Sequence, residues 1–252
     1  ERQEKHGETG VTADPALQES TPQERTTVRY RGLITKGEEL RYVSHLDYAN
    51  LFVRACKRAG LPMAYSEGFN PHMKVAFASA LSLGAASDAE YVDFEMTEEL
   101  PPHEVMQRLR AQLPRGAEII RLRLQEGKHR ALMADVDEAR YRLKIPYEGE
   151  LAPVRESVRR YNSAAHAVWE RVTPKKRRSI ETKEYIKAPI SFQYENGCLI
   201  LWMNLLVTPA GSVKPIEVLS VMARDFALPI DPAKAYVTRT GLFAEGAALI
   251  DR

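Results

Sequence analysis

Two cysteines in 252 residues, Cys56 and Cys198, are too few for a disulfide framework, a structural zinc site or an iron–sulfur cluster held by this chain alone. No apolar run approaches the ~20 residues that span a bilayer, and no charged-then-apolar leader opens the sequence. There is no Gly-rich phosphate loop, no His-Glu-x-x-His, no Gly-x-Ser-x-Gly and no Cys-x-x-Cys. Aromatic residues make up only 8%, with no aromatic-rich RNA-recognition signature. These absences argue against nucleotide-cradling loops, zinc proteolysis, Ser-nucleophile hydrolysis and dithiol redox chemistry. The expectation is a cytoplasmic protein with no membrane association and no metal or cofactor of its own.

What is present suits a folded chain. The hydrophobic fraction of 44% can fill a core. The net charge of +2 hides a split. Residues 1–27 carry Arg2, Lys5 and Arg25 against Glu1, Glu4, Glu8, Asp14, Glu19 and Glu24, which leaves 33 basic and 28 acidic residues in 28–252. That excess is compatible with a polyanionic partner without demanding one. Residues 1–26 have no periodic apolar positions and suggest a disordered tail or linker. The chain starts at Glu1 rather than Met, as expected for a trimmed protein or the C-terminal piece of a longer one.

From Thr27 the apolar positions become periodic. Val28, Tyr30 and Ile34 alternate with Arg29, Arg31 and Leu33, the pattern of a strand ending at Lys36-Gly37. Ser44 occupies an N-cap position with Asp47 three residues on, and Leu46, Ala49, Val53 and Cys56 follow at helical spacing until Gly60 and Pro62. A loop over 65–71 leads to strands through Met73, Val75 and Phe77, then Val92, Phe94 and Met96. Pro101 and Pro102 open a helix, and Ile120, Leu122 and Leu124 mark a last strand. The second half repeats this order. Tyr141, Leu143 and Ile145 form a strand, and Val154, Val158 and Tyr161 a helix. A hairpin turns at Asn196-Gly197, a helix starts at Pro215, and 236–240 form a final strand. Residues 163–188 resist assignment, with Ala167–Val172 open to reading as a helix end or an extra strand. The predicted fold is α+β: two tandem ferredoxin-like (βαββαβ) domains with antiparallel sheets, at 27–127 and 138–245.

In such a sheet helices cover one face. Alternation then puts Arg29 and Arg31 on the open face, beside Arg121 and Arg123 on one side and Asp93 and Glu95 on the other. Either these groups form ion pairs worth under about 1 kcal/mol each, or the arginines form a basic platform for RNA. Tyr91 is predicted to face outward on the same surface. Arg140, Arg142 and Lys144 repeat the bias in the second domain, and Lys175-Lys176-Arg177-Arg178 is the densest basic run. That run is a solvated loop unless it borders the same groove.

Polar residues concentrate around 41–47 and 65–74. His45 falls in the first turn of its helix, where the dipole favours a neutral imidazole. If the loop carrying Tyr65, Ser66 and His72 folds over that helix start, His45 and His72 cluster with Arg41 and Lys74. Such a set can bind an anion or cleave RNA by acid–base catalysis. The alternative is a capped helix and a turn whose side chains satisfy local backbone groups. No third ligand accompanies the histidines, so no metal site is expected.

The same segments carry a resemblance. Arg41-Tyr-Val-Ser-His-Leu-Asp47, Arg54, Arg58-Ala-Gly-Leu-Pro62 and Tyr65-Ser-Glu-Gly-Phe-Asn-Pro-His72 resemble the uncharacterised radical-SAM-linked protein family. Glu90-Tyr-Val-Asp93 and Leu113-Pro-Arg-Gly116 continue the match, which is strong over 27–125 and looser to 240. The family's motif falls on Arg41, Ser44, His45, Asp47, Arg54, Ser66, Gly68, Phe69, Asn70, Pro71 and His72, with no roles attached. The resemblance implies a radical SAM protein as partner, fused or separate, which would carry the iron–sulfur cluster and S-adenosylmethionine. This chain, without the cysteine motif, is expected to be a non-catalytic accessory module that presents RNA, such as tRNA or rRNA, to that enzyme. One alternative is a metal-independent endoribonuclease using His45 and His72. The CRISPR repeat-processing endoribonucleases pair ferredoxin-like domains in this way, but their C-terminal Gly-rich loop is not evident here. Another is a purely protein-binding domain that docks through the Phe69 loop.

Overall fold

The computed structural model describes residues 27–127, 130–174, 176–209 and 211–251, so the expected tail at 1–26 lies outside the described residues. Strand β1 (Val28–Lys36) leads through a short 3-10 turn into α1 (His45–Arg58). Ser44 caps α1: its Oγ accepts the Asp47 backbone N–H at 3.1 Å and donates to the Asp47 carboxylate at 2.6 Å. Tyr48, Phe52, Ala55 and Cys56 form the buried stripe of α1, and Gly60, at φ +62°, ends it in the left-handed region. β2 (Val75–Phe77), β3 (Ala85–Met96), α2 (Pro102–Arg110) and β4 (Ile119–Gln125) complete the first half. The second half comprises α3 (Leu132–Asp135), β5 (Glu138–Pro146), α4 (Leu151–Ser163), β6 (Val168–Thr173), β7 (Lys176–Glu181) and β8 (Ser191–Glu195). It continues with β9 (Cys198–Thr208), β10 (Gly211–Ser212), α5 (Pro215–Asp225), β11 (Tyr236–Ala244) and β12 (Ala247–Ala248).

The first half pairs in the order β4-β1-β3-β2 and the second as β11-β5-β9-β8, antiparallel within each. The expected separation into two sheets is not what the chain adopts. β3 is 12 residues long, and its start, 85–87, runs parallel to 237–239 of β11. β2 pairs with the far end of the same β3 edge, which leaves this stretch free to take β11. The fold is therefore mixed α+β, with five α-helices and one ten-stranded, mostly antiparallel sheet among the described residues. The unassigned stretch 163–188 contains the separate hairpin β6–β7, tied to α5 by Arg171, whose guanidinium grips Glu217 at 2.6 and 2.7 Å.

Side-chain alternation sorts the two faces. Tyr30, Ile34, Val92, Phe94 and Met96 pack with α1 and α2, while Leu143, Ile145, Leu201 and Met203 pack with α4 and α5. A third cluster fills the junction, where Tyr91, Leu132, Val136 and Leu242 meet Leu249 and Ile250 of the closing 3-10 turn. Tyr91, predicted to face outward, is only 3% exposed because that turn covers it. Among the described residues no helix is long and apolar enough to cross a membrane.

Candidate nucleic-acid interface

The two halves treat their arginines differently. In the first half, β1 and β3 pair Arg29 with Glu95 and Arg31 with Asp93. Arg29 reaches Glu95 at 2.9 Å, and the Arg31 fork binds both Asp93 oxygens at 2.8 and 3.0 Å. Arg31 also donates to the Leu249 carbonyl and is 2% exposed. The C-terminal turn therefore removes Arg31 from the expected platform, and burial holds it in an ion pair. Arg121 and Arg123 lie 3.3 and 3.8 Å from Asp251 of the same turn. Glu95 is partly buried, which disfavours its charge, yet bonds from Arg29, Lys74 and Thr27 hold its carboxyl below the usual range. On this face the cation–carboxylate ladder prevails.

The second half keeps its face open. β5 sends Leu143 and Ile145 into the core and Arg140, Arg142 and Lys144 the other way. Opposite Arg142 on β9 stands Trp202, and opposite Lys144 on β11 stands Tyr236. These rings are 39% and 45% exposed. The Arg142 guanidinium lies 5.9 Å from the Trp202 ring centre and 3.7 Å from the Asp88 carboxylate. Arg140 lies 3.9 Å over the Phe243 ring and shares the buried Glu138 with Lys187. Burial opposes charge on Glu138, but these two cations keep its carboxyl below the usual range. Four cations thus face two carboxylates across an exposed sheet surface that carries two indole or phenol rings.

The sequence named Arg140, Arg142 and Lys144 but missed Trp202, Tyr236 and Lys187. A signal for Trp202 existed: Leu199, Leu201, Met203 and Leu205 are buried, which places Ile200, Trp202 and Asn204 on the other face. Of the basic run, Lys175 and the side chain of Lys176 lie outside the described residues, while Arg177 and Arg178 are exposed on β7.

A second polar concentration lies at the end of β1. Lys36, 1% exposed, donates to the carbonyls of Arg41 and Ala85 at 3.2 and 3.3 Å. Burial pushes its ammonium pKa down; Glu90 resists the shift and Arg239 adds to it. His45 sits above, edge-on to Phe77 with ring centres 5.5 Å apart. Burial likewise lowers its pKa, with Arg239 and Lys36 adding and Glu90 opposing, so the imidazole is neutral at pH 7. The Arg41 guanidinium is sandwiched between Tyr42 and Tyr236, at 4.6 and 4.5 Å from the ring centres.

Of the two arrangements open to these segments, the chain adopts the capped helix and the local turn, and the histidines are not brought together. His72 Nδ1 lies 2.8 Å from Ser66 Oγ, which also accepts the His72 backbone N–H at 3.1 Å. Tyr65 bridges to Met73, Gly68 takes φ +111°, and Asn70 and Pro71 are exposed beside the fully exposed Phe69 at the tip. His72 thus ties the turn before β2, whereas His45 packs at the far end of β2. Asp47 and Arg54 line a groove of about 370 Å3 beside α1 with Val43, Asn50, Arg58 and Pro114. Among the described residues no group of three His, Cys, Asp or Glu side chains could hold a metal ion.

The fold and this face define a mixed α+β protein with a cationic, aromatic sheet surface. The chain belongs to the bacterial family described as "Uncharacterized protein conserved in bacteria (DUF2344)", whose model matches residues 29–215. No curated protein sequence matches it. Among solved structures it is similar to a chain of the "Crystal Structure of a Cbf5-Nop10-Gar1 Complex", with a TM-score of 0.44 and 10% identity. That similarity covers 85% of this chain and 50% of the other, so this chain spans about half the length of that relative.

Proposed function

We propose that the protein binds RNA on the open sheet face of its second half and acts as an accessory module rather than as the catalyst. The observation that carries this reading is the strand register that lines up Trp202, Arg142, Lys144 and Tyr236 on one exposed surface. Exposed rings stack on bases whatever their identity, and cations beside them meet the phosphates. Each half is then a ferredoxin-like unit, 27–127 and 138–245, supported by the matching orders β4-β1-β3-β2 and β11-β5-β9-β8. The enzyme served is a radical SAM protein that brings its own iron–sulfur cluster and S-adenosylmethionine. Support for that partner is the resemblance carried by 41–47 and 65–72; this chain adds no cofactor.

The test is fluorescence anisotropy with a tRNA and an unstructured RNA across a salt series, with gels of the same samples. Binding that weakens steeply with salt and leaves the RNA intact is expected. Absence of binding at low salt would remove the reading, and cut RNA would replace a binding module with a nuclease.

A further inference from the structure

We infer that the RNA recognised here is single-stranded and follows a continuous track from Trp202 across Tyr236 to the Arg41–Tyr42 corner. This inference rests on the RNA-binding reading and specifies its substrate class. β9 and β11 flank β5, so Trp202 and Tyr236 are two strand spacings apart; their partners Arg142 and Lys144 are two residues apart along β5. With about 4.8 Å between strands and about 3.4 Å per residue, the two rings are rooted roughly 12 Å from each other. Successive bases along one strand of a duplex are separated by only about 3.4 Å. Two bases can therefore occupy both rings only if the strand is splayed, which requires unpaired nucleotides. Arg142 and Lys144 lie between the rings, where the connecting phosphates would pass.

The track does not stop at Tyr236. Arg41 covers that ring and is itself covered by Tyr42, which is 70% exposed. The Arg41 Nε is buried without a hydrogen-bond partner, so this guanidinium retains an unused donor within the stack. A planar cation between two phenol rings extends the stacked array from Tyr236 to the exposed Tyr42. A duplex would use none of these faces, because double-stranded RNA offers phosphates and hydroxyls rather than base planes.

The experiment titrates the full chain with an eight-nucleotide oligouridylate and with a blunt RNA duplex of equal length. Anisotropy and tryptophan emission are followed together. The single strand should bind at least ten-fold tighter and quench emission. Trp202→Ala and Tyr236→Ala should each lose about ten-fold or more. Trp202→Phe, which keeps a ring, should retain most of the affinity, which separates loss of stacking from loss of folding. Equal or tighter binding of the duplex, or unchanged affinity in both alanine variants, would overturn the single-strand track while leaving RNA binding intact. No binding of either RNA would overturn both.

Discussion

Arg239 of β11 and Glu90 of β3, 149 residues apart in sequence, form a two-pronged ion pair inside the protein where their strands run parallel. Arg239 Nε donates to Glu90 Oε1 at 2.8 Å, Nη2 bonds the second oxygen, and Nη1 reaches Ser79 Oγ and the Ala80 carbonyl at 3.3 Å. Both side chains are almost inaccessible, so each charge depends on the other. The parallel register between β3 and β11 is short, and this pair reinforces it from the helix side.

Removing one partner should therefore cost far more than removing both. Arg239→Met and Glu90→Met are each expected to destabilise the protein by about 3–5 kcal/mol, because an unpaired buried charge remains. The double variant Glu90→Met/Arg239→Met should lose less than the sum of the two. Urea denaturation of the three variants and the parent reads this as a coupling energy.

His45 gives the fold a pH dependence with a defined sign. Burial sets its folded pKa below the ordinary 6.5, so the unfolded chain binds more protons between those two values. The contribution of His45 to stability is complete above about pH 6.5 and is lost as the pH falls through the folded value. His45→Gln should flatten the decline in stability as the pH falls below about 6.5, measured by denaturation midpoints at each pH. A decline as steep as the parent's would show that other groups cause it.

The two thiols should differ in reactivity. Burial pushes the Cys56 thiol up to about 12, so it has almost no thiolate at pH 8, whereas Cys198 is only partly buried at the start of β9. Iodoacetamide on the native protein should label Cys198 first and Cys56 only after unfolding, as peptide mapping would reveal. Labelling of Cys56 at the rate of a free thiol would contradict its place under α1.

The elements that the sequence revealed are those with one apolar face. β1 alternates Tyr30 and Ile34 with Arg29 and Arg31, and α1 carries a clear stripe, so both are legible. The first half of β3 is not, because its run Ala-Ala-Ser-Asp-Ala-Glu buries Ser87 and Glu90. Those polar side chains are satisfied by groups distant in sequence: Ser87 Oγ donates to the Arg239 carbonyl at 3.2 Å, and Glu90 binds the Arg239 side chain. Missing that stretch meant missing the parallel join and predicting two sheets instead of one. β6 and β7 stayed ambiguous for the opposite reason: Ala167–Val172 suited a helix end or an extra strand, since β6 is exposed or half-exposed throughout. The same long-range problem hid the burial of Arg31. The alternation that puts Arg31 opposite Asp93 is correct, but the residue that roofs it, Leu249, lies 218 positions away. Among the described residues no such roof lies over Trp202, which is 39% exposed, and the period-two pattern of β9 pointed outward at it.

The most direct test of the account compares two double charge reversals at matched folding, checked by circular dichroism: Arg142→Glu/Lys144→Glu on the open face and Arg121→Glu/Arg123→Glu on the first-half face. Each is titrated with single-stranded RNA across a salt series. The account predicts that the first variant binds weakly and that its log–log salt slope falls by about 1.4, at roughly 0.7 per lost phosphate contact. The second variant should bind like the parent, since Asp251 already engages both arginines. Loss of binding in the Arg121/Arg123 variant with full affinity in the Arg142/Lys144 variant would place the interface on the wrong half and contradict the account.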